Sequence, residues 1–198
     1  MRLIHTASIV VLAVVGAASV GHHADPAEPA DPEVFLQPEA FLQRLAGEWT
    51  VVSEAVPGPD QDPIRTEGHE VARWLGDQWL VAETSGRAPS GQSVTAILTL
   101  GWNAHEDRFV GTWISSMQSH LWAYTGTLDA SGTTLTLDTE GPVLGDPERI
   151  TRYREVIEVE GDDLKVMRSM ILGPDGEWFE FARAEYRRTG EPPGSDPE

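Results

Sequence analysis

With 198 residues, 40% of them hydrophobic, the chain is long enough for one domain with a real core plus terminal appendages. Its 32 acidic residues against 14 basic ones give a formal charge of −18, a surface that repels phosphate backbones and anionic headgroups, so nucleic-acid and peripheral membrane binding are disfavoured. Cysteine is absent, which excludes disulfides, thiolate metal sites, a cysteine nucleophile and lipoprotein anchoring through an N-terminal cysteine.

Along the chain, the positive start Met1-Arg2, the apolar stretch 9–20 and the small residues Ala17, Ala18, Ser19 and Gly21 predict a signal peptide over 1–21. The apolar stretch has the length of a signal-peptide core rather than of a membrane span. The expectation is an exported protein, periplasmic or extracellular, with no membrane insertion after cleavage. Residues 22–38, rich in Ala, Pro, Asp and Glu, read as an extended acidic linker. A short helix follows: Pro38 suits its first turn, Phe41, Leu42 and Leu45 share one face, and Gly47 suits the stop.

From Glu48 to Arg188 about ten short β-like segments follow one another, at 48–56, 67–75, 78–85, 92–102, 108–115, 119–129, 133–140, 149–160, 164–172 and 177–188. The stretch 57–66, with prolines at 57, 59 and 63, reads as a loop, and Gly76-Asp77 as a two-residue hairpin turn. Asn103–Asp107, Ala130-Ser131-Gly132, Gly161-Asp162-Asp163 and Gly173-Pro174-Asp175-Gly176 supply further turns. Short antiparallel strands in such a meander remove their edges by curling on themselves. The predicted fold is therefore all-β: a closed or nearly closed antiparallel meander barrel over 39–188, with a short N-terminal helix at one end and a tail of linker character at 189–198. Both alternation phases carry aromatics in several strands, as in 177–188, and a one-residue phase error would invert every inward face.

The residues Leu45-Ala46-Gly47-Glu48-Trp49, Arg73-Trp74-Leu75-Gly76-Asp77-Gln78-Trp79-Leu80-Val81, Gly101-Trp102, Arg108-Phe109-Val110-Gly111-Thr112-Trp113 and Trp122-Ala123-Tyr124-Thr125-Gly126-Thr127-Leu128-Asp129 form a pattern that resembles the domain-of-unknown-function family 1579. The match spans roughly 41–188. The resemblance implies a calycin-like barrel related in shape to lipocalins and fatty-acid-binding proteins; it implies no activity and no catalytic residues. Gly47-x-Trp49 after a short helix is also similar to the lipocalin opening motif, in which the tryptophan plugs the closed end.

Seven tryptophans are many for this length. Aromatic rings fill small barrels and also line pockets for flat or apolar ligands. Trp49 reads as the plug. Trp113, Trp122 and Tyr124 are the pocket candidates, because they flank the polar run Ser115-Ser116-Met117-Gln118-Ser119-His120. His120 could reach a ligand carboxylate, a metal or a haem iron, or sit partly packed in a solvated turn. The usual Gly-rich opening and late-chain histidine of a nitrobindin-type haem barrel are missing. Glu83, Arg154 and Arg168 lie in segments suited to burial. Inward arginines would need a carboxylate from protein or ligand, as in a fatty-acid clamp; outward ones would balance Glu155, Glu158 and Glu180.

There is no Gly-x-Ser-x-Gly elbow, no His-Glu-x-x-His, no phosphate-cradling loop and no nucleotide fingerprint, so no catalytic residue, metal or cofactor is assigned. The functional expectation is the binding of a small hydrophobic or amphipathic ligand inside the barrel. The alternative is a filled barrel acting as an envelope interaction or scaffold module, and a cavity enzyme ranks third.

Overall fold

In the computed structural model, which describes residues 38–56, 61–143 and 146–191, helix α1 (Pro38–Leu45) precedes the first strand. Proline at its first position has no N–H to leave unpaired, and Glu39 and Arg44 suit the two ends of its dipole. Phe41, Leu42 and Leu45 are its buried face. The stretches expected as a signal peptide (1–21) and, apart from Pro38, as an acidic linker (22–38) lie outside the described residues.

Ten strands follow: β1 (Gly47–Ala55), β2 (Ile64–Leu75), β3 (Trp79–Arg87), β4 (Ser93–Asn103), β5 (Arg108–Ser115), β6 (Gln118–Leu128), β7 (Thr134–Val143), β8 (Asp146–Glu160), β9 (Leu164–Leu172) and β10 (Trp178–Gly190). Each pairs antiparallel with its neighbours in sequence, and β10 closes on β1, so the sheet is a closed ten-stranded barrel without an edge. Gly47 begins β1 at φ +132°, where a side chain would collide with the Arg188 guanidinium; only glycine lets the chain pass from helix to wall there.

The turns follow local chemistry. Asn103 Oδ1 accepts from the backbone N–H of His105 (3.1 Å) and Glu106 (3.3 Å), holding the β4–β5 turn. At the β6–β7 turn Asp129 accepts from the Ser131 hydroxyl and from the N–H groups of Thr134 and Thr133, and these bonds hold its carboxyl below the usual carboxylate range.

Four details differ from the expectation. β2 starts at Ile64, so 64–66 are strand rather than loop, paired through Ala55↔Ile64 and Ser53↔Thr66. The β2–β3 turn has three residues, since Leu75 pairs with Trp79. β7 and β8 run longer, to Val143 and from Asp146. β10 continues through Thr189 to Gly190, into the stretch expected as tail, and Glu48 pairs with Gly190.

The inner wall is solid at the helix end. Trp49, Ala72, Leu80, Leu100, Phe109 and Leu137 are each buried there, and α1 seals them, with Phe41 edge-on to Phe109 at 6.1 Å. Toward the other end the same inward phase carries smaller or polar residues, including Ser53, Thr66, Thr84, Ala96 and Ser169, and these keep partial solvent exposure. The interior is thus packed in its helix half and reached by solvent in its open half.

Candidate functional site

Strand alternation places Trp113 (β5), His120, Trp122 and Tyr124 (β6), Thr139 (β7), Tyr153 and Glu155 (β8) and Ser169 (β9) on the inner wall of the open half. Phe181 of β10 joins them through a bulge: Glu180 pairs with Met170 but Ala182 with Ser169, leaving Phe181 as the extra residue. The bulge reverses the alternation within β10, which is why aromatics occupy both phases of that strand. The rings form a chain of edge contacts, His120–Trp122 at 4.8 Å, Trp122–Tyr153 at 4.8 Å and Tyr153–Phe181 at 6.0 Å. Gly141 gives the Trp122 indole its place: a Cβ there would collide with the indole and stand 3.0 Å from His120 Nε2.

The ligand residues expected from sequence divide between the two faces. Trp113, His120, Trp122 and Tyr124 come together inside. Glu83, Arg154 and Arg168 lie on the outside, because their strands turn Ala82, Tyr153 and Ser169 inward. Arg154 bonds Asp138 (2.8 Å) and stacks on Trp178 (4.4 Å to the ring centre), and Arg168 pairs with Glu158. The inward arginine clamp therefore does not form. Glu155, read as an outer counter-charge, faces the interior instead. His120 Nε2 lies 3.4 Å from the Glu140 carbonyl oxygen, and among the described residues no three His, Asp or Glu side chains gather to hold a metal ion.

Two polar groupings line the interior, and sequence reading named neither. Below, Lys165 Nζ meets Glu70 Oε1 at 2.6 Å, with side chains 7% and 5% exposed, and Thr84 donates to Glu70 Oε2 at 2.8 Å. The ammonium also lies over the rings of Trp49 (4.3 Å) and Tyr186 (4.8 Å). Burial lowers the Lys165 pKa and the Glu70 charge opposes that shift. Above, the Ser169 hydroxyl donates to Glu155 Oε2 at 2.5 Å. Burial pushes the Glu155 carboxyl up to about 8 despite that bond. Tyr124 is raised by burial and then by Glu155; Tyr186 is raised by burial and then by Glu70 and Glu155. Tyr186 thus lies within electrostatic reach of both groupings.

A pH prediction follows from Glu155. Its pKa in the folded chain is about 8 against an ordinary 4.5, so between those values the native state holds a proton that the unfolded state has released. Its share of stability is complete below about 4.5 and is lost as pH rises to about 8. Urea midpoints measured from acidic to mildly basic pH should fall more steeply for the natural chain than for Glu155→Gln. Parallel curves across that window would show that the carboxyl is not held neutral.

Two surface concavities lie at the helix end. One, of about 760 Å³, runs past Gln43, Trp74, Asp77, Gln78 and Trp102; the other, of about 220 Å³, lies beside Pro38, Phe109 and Thr127. Polar groups of the larger one satisfy each other, Trp74 Nε1 donating to Gln43 Oε1 at 2.7 Å and Gln78 to Asp77 at 3.1 Å. The open half of the barrel is the stronger candidate, because its polar groups include unsatisfied ones. Trp122 Nε1 and Thr139 Oγ1 are buried there without a hydrogen-bond partner among the described residues.

No curated protein sequence matches the chain. A family model described as "Protein of unknown function (DUF1579)" matches residues 36–188. Among solved structures, Rv2717c from M. tuberculosis is similar at 14% identity, covering 78% of this chain and 99% of that one with a TM-score of 0.55. An S-type phycobiliprotein lyase from Guillardia theta is similar at 16% identity, covering 76% and 92%, with a TM-score of 0.53. At these identities the likeness is one of fold.

Proposed function

Because the chain belongs to the DUF1579 family of proteins of unknown function, we propose a role read from its barrel: an exported carrier that holds one small hydrophobic or amphipathic molecule in the open half of the interior. The observation that carries this reading is the contrast along the inner wall. Trp49, Ala72, Leu80, Leu100, Phe109 and Leu137 are buried toward the helix end, with Trp74, Trp102 and Leu128 half-buried at its rim. In the other half Ser53, Thr66, Thr84, Ala96, Trp113 and Ser169 stay partly exposed beside the buried Trp122, Tyr124 and Tyr153. A barrel needed only as a scaffold would be filled with side chains from end to end. Here small residues on β1–β4 face rings from β5, β6 and β8, a lining suited to an apolar body. Export rests on the leader pattern at 1–21 and is checked by N-terminal sequencing of the mature protein.

Native mass spectrometry of protein purified from its own host tests the carrier. The expected spectrum contains an adduct of small-molecule mass that organic extraction removes. Protein that repeatedly carries nothing, and whose melting temperature no panel of lipids, alcohols and pigments raises, would sink the reading. One observation favours the interaction-module alternative: Ile114, Met117 and Leu121 stand exposed around the β5–β6 hairpin. Under that reading, changing all three to serine abolishes association with a partner and leaves any small-molecule adduct in place.

A further inference from the structure

Trp122 and Thr139 lie on the inner faces of adjacent strands, 9% and 7% exposed, and neither the indole N–H nor the hydroxyl has a partner among the described residues. Buried polar groups in folded chains are nearly always paired, so two orphans on one wall call for a partner from outside the chain. An indole nitrogen only donates, so that partner presents an acceptor; the threonine hydroxyl serves in either sense.

The charges around them narrow the acceptor's chemistry. Glu155 of β8 faces this part of the interior, near Tyr124, and is already bonded by Ser169 at 2.5 Å. Lys165 of β9, below, is engaged with Glu70 of β2 at 2.6 Å. Arg188 of β10 donates to the backbone oxygens of Asp162, Ala46 and Arg44 at the helix end. Arg154 and Arg168 are outside, paired with Asp138 and Glu158, although Arg168 Nε is itself buried there without a hydrogen-bond partner among the described residues. His120 stands edge-on to Trp122. An anion buried here would meet a carboxyl group and no free guanidinium or ammonium, and an unpaired buried charge is costly.

Resting on the carrier reading, we propose that the barrel selects uncharged ligands, in which a carbonyl or hydroxyl oxygen on an otherwise apolar body is bonded by Trp122 Nε1 and Thr139 Oγ1. The carboxylate-led mode of an arginine clamp is absent from this wall, and its place is taken by a donor without charge. The rings of Trp113, Tyr153 and Phe181 hold the apolar body.

Calorimetric titration of the full chain at neutral pH with decyl methyl ketone, decanol and decanoate tests this. The ketone and the alcohol are expected to bind, and decanoate to bind at least about tenfold more weakly. Trp122→Phe keeps a ring and removes the N–H; Thr139→Val keeps the shape and removes the hydroxyl. Each should weaken ketone binding by roughly 3- to 10-fold, the worth of one hydrogen bond, and leave the urea midpoint nearly unchanged. Decanoate binding as tightly as the ketone, or both variants keeping full affinity, overturns the inference and leaves the carrier reading standing. If no probe binds and native protein from the host carries no adduct, the carrier reading fails too, and the two groups serve ordered water alone.

Discussion

Lys165→Met should lower the stability of the folded chain by about 3–5 kcal/mol, the usual cost of leaving one member of a buried ion pair alone. The pair is almost wholly enclosed, with side chains 7% and 5% exposed and a 2.6 Å contact. Water cannot reach the Glu70 carboxylate once the ammonium is gone, and Thr84 supplies only one hydrogen bond to it. Replacing both, as Glu70→Leu with Lys165→Met, should recover most of the loss, because two apolar side chains remove both desolvation penalties together. Urea denaturation of the two single variants and the double variant decides it. Should Lys165→Met cost less than about 1 kcal/mol, the pair would have to be open to solvent, and the solid floor beneath the open half would be lost with it.

The Trp49 plug of that floor is legible in the sequence, but its ion pair is not, and the reason is physical. In β9 the phase Leu164, Val166, Arg168, Met170, Leu172 is more apolar than Lys165, Met167, Ser169, Ile171, yet the second faces inward. Alternation reports the buried face only when the interior is the more apolar side. Here Lys165 is satisfied by Glu70, which lies 95 residues away and is brought close only when β10 closes on β1 and so seats β9 near β2. The same holds for Glu155, whose neighbours in sequence suggested an outer counter-charge and whose bond to Ser169 depends on the β8–β9 register. Trp122 stands out in the sequence as a pocket candidate beside the polar run 115–120. Thr139 looks ordinary in any strand, and only the lack of a partner for its hydroxyl among the described residues marks it out.

The barrel itself was legible because its signals are local. Asn103, Asp129 and the turn glycines act within a few residues of themselves, and such cues recurring between the strands leave the meander as the simplest topology. Where a cue depends on distant pairing, legibility stopped. Ile64-Arg65-Thr66 follow a proline-rich stretch and become strand only by pairing with β1. The bulge at Phe181 needs β9 opposite it to be seen.

Trp49 is the residue whose removal should match the ion pair in cost. It is 0% exposed, its Nε1 donates to the Leu45 carbonyl at 3.1 Å, and it stands between Lys165 Nζ at 4.3 Å and Arg188 Cζ at 4.1 Å from its ring centre. Trp49→Ala is expected to cost about 3–5 kcal/mol for the lost aromatic packing and the cavity left behind. Trp49→Phe keeps most of the packing and gives up the N–H bond, so a loss of about 1–2 kcal/mol is expected. The cost of the alanine variant is not packing alone: the ring also shields the Lys165–Glu70 contact from water and lends its face to two cations. The effects of Trp49→Ala and Lys165→Met should therefore fail to add, their combined loss differing from the sum by about 0.5–3 kcal/mol, as for residues in direct contact. Strict additivity in urea denaturation would separate plug from ion pair, and leave Trp49 as a filler of the closed end with no part in holding its charges.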